Sequence, residues 1–131
     1  MHLHKKYFKL AENISELSDF KRVHIGSVLV KNKDVVSVGQ NMLKTHPAQH
    51  RYNKCLPYDM PTDHVHSEIN CISKARPDLL RGSTLYIFRR DRNGNPAMCR
   101  PCNACMQAIR DAGIRDIYYS TGYGYSYERI S

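Results

Sequence analysis

The sequence predicts an α/β fold in which helices cover a central sheet. Segments with helical periodicity alternate with short segments rich in β-branched residues, in the order α-β-β-α-β-α-β, and this alternation is typical of a layered sheet. The length of 131 residues suits a single domain over 1–131, and the hydrophobic content of 41% excludes wholesale disorder. No apolar run approaches the roughly 20 residues of a membrane helix, so no membrane partner is expected.

The first part of the chain predicts a helix and then a β-hairpin. The apolar residues at helical spacing over 3–17 are Leu3, Tyr7, Leu10, Ala11, Ile14 and Leu17. Residues 22–30 alternate with a period of two and are rich in β-branched side chains, and 35–38 predict a second strand after a polar turn. Residues 42–64 hold three prolines and three histidines and predict a long loop, of a kind that often forms a lid or binding site.

The second part of the chain predicts two helices and two strands. The first helix runs from about Asp63 to Arg76, because Pro77 disfavours helical backbone in the residue before it. Residues 84–88 predict the next strand. A helix then opens at Pro101 and stops at Gly113, before a strand over 114–119. Alternating tyrosines near the C-terminus indicate a short edge strand or an ordered tail: Tyr123, Tyr125 and Tyr127.

Charge and cysteine content narrow the functional classes. The chain has 20 Lys+Arg against 12 Asp+Glu, a formal net charge of +8 at pH 7. Such an excess either keeps a small protein soluble or serves a partner that carries phosphate, a nucleotide or a nucleic acid. The first residues are not followed by the apolar stretch of a signal peptide, so we expect a cytoplasmic protein with reduced thiols. Five cysteines fit a disulfide framework poorly and favour metal binding or catalysis.

Two short motifs carry the chemistry of the sequence. His66-Ser67-Glu68 opens one predicted helix, and Cys102 and Cys105 open the next at a spacing that points both thiols the same way. The positive end of a helix dipole lowers thiol pKa values and favours the thiolate that binds metal. One histidine and two thiolates suit Zn²⁺, and three protein ligands leave an open position for water, as in catalytic zinc sites. Glu68 could then lie beside that water without binding the metal.

Each motif alone is weak evidence for a metal site. A C-x-x-C pair can hold buried, inert thiols, and a histidine and a glutamate two residues apart are common on solvated helices. Both motifs together, each at the start of a helix and with a strand between them, predict a catalytic zinc site rather than two unrelated helix starts.

With these motifs, the chain resembles the zinc-dependent cytidine/deoxycytidylate deaminase superfamily over roughly residues 5–120. The H-x-E and P-C-x-x-C signature is that of zinc nucleobase deaminases, and HSE here replaces the commoner HAE. Residues 25–30 resemble the usual VGAVIV of the first strand, 38–41 the G-x-N that ends the second, and 84–86 the TLY of the third. The run Lys-Thr-His-Pro at 44–47 is similar to that of viral deoxycytidylate deaminases. The resemblance implies a cytidine-deaminase-like three-layer α/β/α sandwich around a central mixed sheet of about 4–5 strands.

The resemblance also implies a role for each motif residue. His66, Cys102 and Cys105 would hold one catalytic Zn²⁺. Glu68 would take a proton from the attacking water, deliver it to N3 of the pyrimidine and assist the loss of ammonia. The backbone of Ser67 would contact the edge of the base, so alanine or serine at this position should matter little.

Substrate binding beyond the base involves a second group of residues. The resemblance implies that Asn41 hydrogen-bonds the sugar hydroxyl, although it could instead be a residue that ends a strand. For a substrate phosphate we expect Lys44, His46 and Arg51, which lie in the loop predicted near the active site. Relatives assemble as dimers or hexamers, so analogy also implies a homo-oligomer.

The other cysteines and one departure from the family pattern complete the prediction. Cys55 and the three loop histidines could form a second, structural zinc site, but their spacing is irregular and a plain loop is the favoured interpretation. Cys71 is expected in the core, and Cys99 is not expected to bind metal because it precedes the helix. Arg100 stands where relatives usually have glutamate, which changes the charge near the mouth of the site.

Three functional hypotheses follow. The first is deamination of a free nucleotide, dCMP to dUMP, with the basic loop serving the phosphate. The second is a nucleic-acid-editing deaminase that acts on tRNA adenosine or on cytosine in single-stranded DNA or RNA, which needs a basic surface. The third is a non-catalytic zinc-bearing nucleic-acid-binding module, which would have no use for Glu68. The run at 44–47 favours the first hypothesis.

Overall fold

The computed structural model describes residues 2–19, 23–44, 46–53 and 65–130. The helices are α1 (His2–Ser15), α2 (Pro47–Asn53), α3 (Ser67–Lys74) and α4 (Asn103–Ala112), with a short 3₁₀ turn at Pro77–Leu79. The strands are β1 (His24–Lys31), β2 (Asp34–Gln40), β3 (Thr84–Arg90), β4 (Pro96–Ala97), β5 (Asp116–Thr121) and β6 (Gly124–Arg129). Among these residues, no helix has both the length and the apolar character needed to cross a bilayer.

The strands form a mixed sheet in the order β2-β1-β3-β5-β6, and the two-residue β4 pairs with β3. Only the β3–β5 pair is parallel, because α4 provides the crossover between these strands. The other pairs are antiparallel. The predicted central mixed sheet is therefore confirmed, with the short β4 as an addition. Tyr125 and Tyr127 lie in the edge strand β6, and Tyr123 lies in the turn before it.

Helices cover both faces of the sheet. On one face, α1 packs Tyr7, Phe8 and Ala11 onto residues of β1 and β3. On the other face, α3 and α4 pack onto the same strands through a larger apolar cluster that includes Cys71 and Met106. Alternate residues of each strand serve the two clusters, as the period-two geometry of a strand requires. The predicted three-layer α/β/α arrangement is thus confirmed, with Cys71 in the core.

Several predicted boundaries are wrong. Leu17 is 63% exposed, because α1 ends at Ser15 and its last predicted apolar position lies beyond the helix. The helix predicted from Asp63 begins at Ser67, because Val65 pairs with Met42 in an isolated β-bridge. Pro101 precedes α4 rather than opening it, and Cys102 is the N-cap residue. The predicted stop at Gly113 is confirmed, because this glycine takes a positive φ of 80°.

Part of the predicted long loop is helical. Pro47–Asn53 forms α2, and Pro47 suits its first position because a proline needs no N–H partner there. The ring Nδ1 of His46 accepts a hydrogen bond from the backbone N–H of Ala48 at 3.0 Å, which supports the start of this helix. Residues 54–64, including Cys55 and His64, lie outside the described part of the chain, so the second zinc site stays a prediction.

A close approach at Gly39 sets the position of α3 on the sheet. A Cβ atom at this residue would lie 2.5 Å from the backbone N of Cys71 and 2.7 Å from the backbone O of Ser67. Two hydrogen bonds also join α3 to β2: Ser37 Oγ donates to the Cys71 carbonyl at 2.7 Å, and Gln40 N donates to Asn70 Oδ1 at 3.2 Å. A side chain at residue 39 would push α3 away from β2.

We therefore expect Gly39→Ala to lower the free energy of unfolding by roughly 1–3 kcal/mol, as overpacking does in other cores. Urea denaturation monitored by circular dichroism measures this change. Gly122→Ala is the matched control, because no atom lies within 4 Å of a Cβ at that position. Its effect should be within about 0.5 kcal/mol, as for most exposed sites. Equal stability of the two variants would contradict the close approach of α3.

Candidate active site

Three metal-binding side chains meet where two helices begin. His66 is the N-cap residue of α3, Cys102 is the N-cap residue of α4, and Cys105 lies in the first turn of α4. His66 Nδ1 lies 3.2 Å from Cys105 Sγ and 3.6 Å from Cys102 Sγ. The three ligand atoms all lie within 4.8 Å of one another. The structure therefore brings together the three residues that the motifs predict.

This donor set fits zinc. A tetrahedral zinc ion with a Zn–S bond of about 2.3 Å and a Zn–N bond of about 2.0 Å places its sulfur and nitrogen ligands about 3.5 Å apart. The observed separations of 3.2 and 3.6 Å bracket that value. Nitrogen and thiolate sulfur are the ligands that zinc prefers, and three of them leave a fourth position for water or substrate.

The electrostatics of the cluster favour a thiolate. The hydrogen bond from Cys105, with further help from His66, lowers the pKa of Cys102 to about 4, although burial opposes this shift. The same thiol–thiol bond and burial raise the pKa of Cys105. Burial opposes the positive charge of His66, but its hydrogen bond to Cys102 and the charge of Glu68 raise its pKa overall. Metal binding must therefore release the proton held by Cys105.

A buried glutamine from α2 holds the metal-binding histidine in place. The side-chain Oε1 of Gln49 accepts a hydrogen bond from the backbone N–H of His66 at 2.9 Å, and Gln49 is fully buried. Gln49 was not among the predicted site residues, because it lies in the stretch predicted as a loop. Helical periodicity over 47–53 could have indicated this role, because it places Gln49 on the inner side of α2 while Arg51 stays exposed.

Glu68 lies beside the metal-binding residues in the first turn of α3. It is 5% exposed, and its Oε1 accepts a hydrogen bond of 2.6 Å from the hydroxyl of Ser67. A carboxylate is favoured at this end of a helix by the helix dipole. Glu68 lines the same pocket as His66 and Cys102, two of the three residues that could hold the metal.

The pocket has a volume of about 340 Å³ and opens beside the metal-binding residues. Its lining combines apolar side chains and cysteines with five charged or polar side chains: Val23, Ile25, Asn41, His66, Glu68, Arg89, Met98, Cys99, Arg100 and Cys102. Cys99 is bonded to Ser120 Oγ at 3.1 Å and stays outside the metal-binding cluster, as predicted. A concave, largely apolar pocket with a few convergent polar groups suits a small aromatic ligand.

Asn41 lies in this pocket but also braces the sheet. Its Oδ1 accepts a hydrogen bond from the backbone N of Ile25 at 3.0 Å, and its Nδ2 donates to the carbonyl of Val23 at 2.7 Å. Each side-chain atom can form one more hydrogen bond. Asn41 is therefore placed for both interpretations that the sequence left open, as a residue that ends β2 and as a ligand for substrate.

Two arginines at the pocket differ in their partners. Arg100 forms a two-pronged ion pair with Glu128, at 2.7 Å from its Nε and 3.1 Å from its Nη2. The predicted change of charge at Arg100 is therefore neutralised within the fold. Arg89 has no carboxylate partner among the described residues, and its Nε is buried without a hydrogen bond. Its Nη1 donates only to the carbonyl of Met98, at 3.3 Å.

Arg89 was not among the predicted site residues, although the alternation of side chains along a strand could have indicated it. Leu85, Ile87 and Arg89 alternate along β3, and the first two pack on the face that carries α3 and α4. The next residue, Arg90, turns to the opposite face and pairs with Glu12 of α1. Because side chains alternate between the two faces of a strand, Arg89 lies on the same face of β3 as Leu85 and Ile87, toward the pocket that His66 and Cys102 also line.

The residues predicted to bind phosphate lie apart from the pocket lining. Lys44 is exposed, Arg51 is exposed on α2, and His46 caps the start of that helix. Residues 54–64, which follow α2 and precede the metal-binding histidine, are outside the described chain. Phosphate binding by Lys44, His46 and Arg51 stays a prediction.

A His-Cys-Cys site at two helix N-termini, on one face of a mixed sheet, is that of the zinc-dependent deaminases. Residues 1–121 match the family described as "Cytidine and deoxycytidylate deaminase zinc-binding region", and the chain belongs to this family. Membership makes the protein a zinc-binding deaminase, as its motifs predict. Among curated proteins, no relative matches with significance.

Solved structures of two kinds of deaminase are similar to this chain. The dCMP deaminase of the cyanophage S-TIM5, solved in complex with dCMP and dUMP, is 25% identical with a TM-score of 0.63, over 90% of this chain and 80% of that one. The cytidine deaminase of Burkholderia pseudomallei is 15% identical with a TM-score of 0.64, over 97% of this chain and 92% of that one. The second likeness shows the fold alone.

Proposed function

We propose that this protein deaminates a cytosine nucleotide, converting dCMP to dUMP with release of ammonia. The observation that carries the proposal is Arg89, a cation with no carboxylate partner among the described residues, in the pocket that also holds His66 and Glu68. Arg89 is half-buried with only its Nε buried, so its guanidinium is open to the pocket, and a planar fork of N–H donors suits a phosphate group. The similar cyanophage enzyme was solved with dCMP and dUMP bound, which supports the same substrate here.

The reaction divides between the metal and the protein. His66, Cys102 and Cys105 would hold zinc, which would act as a Lewis acid and lower the pKa of a bound water molecule to about 7. Glu68 accepts the proton of the attacking water and delivers it to N3 of the cytosine ring. The water oxygen bonds to C4 as a hydroxyl. Glu68 then transfers the proton of this hydroxyl to the amino nitrogen, the bond from C4 to that nitrogen breaks, and ammonia leaves as the C4 carbonyl forms.

The remaining pocket residues bind rather than react. Val23 and Ile25 offer apolar contact to the pyrimidine ring, and the spare hydrogen-bonding capacity of Asn41 suits a sugar hydroxyl. Arg89 anchors the phosphate. We propose that the substrate is thereby held with its C4 near the open metal position, which favours reaction by orientation.

A substrate panel tests the function. Zinc-loaded protein is offered dCMP, CMP, deoxycytidine, tRNA and single-stranded DNA, and ammonia release is measured. We expect the highest kcat/KM for dCMP. Activity confined to a polynucleotide would contradict the proposal and favour a nucleic-acid-editing deaminase, and zinc binding without any turnover would favour a non-catalytic zinc module.

Arg89→Met should weaken recognition of the phosphate. We expect kcat/KM for dCMP to fall about 10- to 100-fold, because a charge-assisted hydrogen bond contributes roughly 1.5–3 kcal/mol. Turnover of deoxycytidine, which has no phosphate, should change much less. Steady-state kinetics on both substrates measure the difference.

Arg92→Met is the matched control, because it removes the same charge from an exposed position close by in the chain. This variant should keep the kcat/KM of the wild type for dCMP within about twofold, as expected for an exposed charge. An equal loss on dCMP and deoxycytidine in Arg89→Met would show that Arg89 supports the fold of the pocket rather than the phosphate.

A further inference from the structure

We propose that two buried serine hydroxyls, those of Ser27 and Ser67, orient the Glu68 carboxylate for proton transfer. The inference rests on the catalytic role proposed for Glu68 and adds two positioning residues to it. It also changes the expectation for Ser67, whose side chain, and not only its backbone, then matters to the reaction.

The three side chains form a continuous hydrogen-bonded chain inside the protein. Ser27 Oγ lies 2.9 Å from Ser67 Oγ, and the Ser67 hydroxyl lies 2.6 Å from Glu68 Oε1. Both serines are 0% exposed and Glu68 is 5% exposed. Water therefore has little access to compete for these bonds.

Hydrogen counting fixes the direction of the chain. A serine hydroxyl carries one proton, and that of Ser67 is donated to Glu68. The bond between the two serines must then use the proton of Ser27, so that Ser27 donates to Ser67 and Ser67 donates to the carboxylate. Donation from Ser27 polarises the Ser67 hydroxyl and strengthens its bond to Glu68.

The scaffold around this chain is rigid. Ser27 lies in β1, where it is paired with Gly39 of β2 on one side and with Ile87 of β3 on the other. Ser67 is the first residue of α3, and the close approach at Gly39 brings this helix against the sheet. The Glu68 carboxylate is hydrogen-bonded to a hydroxyl that this scaffold holds in place, and this restricts its rotation away from the pocket.

Packing alone does not explain the two hydroxyls. Burying a hydroxyl costs free energy unless it is hydrogen-bonded. Here the Ser27 hydroxyl is hydrogen-bonded to Ser67, and the Ser67 hydroxyl is hydrogen-bonded to Glu68. Replacing both serines by alanine would remove their mutual hydrogen bond as a pair, and would leave only Glu68 Oε1 without the partner that Ser67 supplies. The pair is therefore better accounted for by what it does to Glu68.

Ser67→Ala tests the inference directly. We expect kcat to fall about 10-fold while KM and zinc content stay unchanged. The melting temperature should fall by only a few degrees, because Ser27 and one oxygen of Glu68 lose a hydrogen-bond partner without loss of packing. A crystal structure of the variant should show the Glu68 carboxylate rotated from its position in the wild type.

Ser27→Ala and the double variant separate positioning from a structural role. Ser27→Ala should lower kcat about threefold, because Ser67 keeps its proton but loses its donor. The double variant should match Ser67→Ala within about twofold, since Ser27 acts only through Ser67. If Ser67→Ala fails to fold, Ser27→Ala still carries the test because Ser67 remains in place.

Three outcomes distinguish the possible failures. Wild-type protein that turns over no cytosine compound would contradict the proposed function. Wild-type activity that persists unchanged in both single variants would overturn this inference and leave the function standing. Zinc content that falls in proportion to the lost activity would overturn it as well, because the serines would then support the metal site rather than orient Glu68.

Discussion

Glu68→Gln is expected to abolish turnover while zinc stays bound. The carboxylate is proposed to accept the proton of the attacking water and to deliver protons to the base and to the leaving nitrogen. General acid–base catalysis by a positioned side chain contributes roughly 10²–10⁴-fold, and one group that serves several transfers should lie toward the upper end. Glutamine preserves the size of the side chain in its buried position but cannot accept a proton at neutral pH.

Two measurements on this variant are informative. Zinc analysis should still give one ion per chain, because His66, Cys102 and Cys105 are unchanged, and ammonia release from dCMP should fall to background. Glu16→Gln, the same change at an exposed position past the end of α1, should keep full activity. A Glu68→Gln protein that deaminates dCMP at the wild-type rate would show that another group moves the protons.

Local patterns predicted the metal-binding residues because helix geometry translates spacing into direction. A pair of cysteines three residues apart at a helix start places both thiols on one side, and the structure confirms this for Cys102 and Cys105. Period-two alternation similarly predicted β1, and β2 and β3 were predicted as well. The start of β3 at Thr84 is as predicted, and the other boundaries of these strands moved by one or two residues. These features depend only on neighbours in the chain, which a sequence shows directly.

The features that were missed depend on partners far away in the chain. The ion pair of Arg100 with Glu128 joins residues 28 positions apart, so the sequence showed the unusual arginine but not its neutralisation. The hydrogen bond between Gln49 and His66 was not predicted, because the prolines and histidines of this stretch indicated a loop rather than the short helix α2. The sequence alone did not distinguish Arg89 from Arg90, because their roles depend on which face of β3 each side chain occupies.

The pair Ser27 and Ser67 shows the same limit most clearly. Each serine looked like a minor departure from a motif, and the backbone of Ser67 was the part expected to matter. The structure places the two departures in contact at 2.9 Å, across 40 residues of chain. Only the sheet register and the position of α3 bring them together, and neither can be obtained from the motifs alone.

Cys102→Ser is expected to lose both zinc and activity, because a serine hydroxyl does not supply the thiolate that the site requires. The stability should fall as well, since the metal tethers the first turn of α4 to the start of α3. A ligand present at about 1,000 times its Kd stabilises a fold by roughly 4 kcal/mol, and 1 kcal/mol corresponds to about 3–5 °C in a domain of this size. The melting temperature should therefore drop by about 10–20 °C.

Cys99→Ser is the matched control for this loss. Cys99 is also buried and also lines the pocket, but its sulfur bonds to Ser120 and to backbone carbonyls rather than to the cluster. A serine there can keep such bonds, so zinc content and turnover should stay close to those of the wild type. Removing zinc from the wild type with a chelator should reproduce the Cys102→Ser melting temperature, and added zinc should restore the wild type but not the variant. Full zinc content in Cys102→Ser, or its loss in Cys99→Ser, would show that the metal is held by a different set of cysteines.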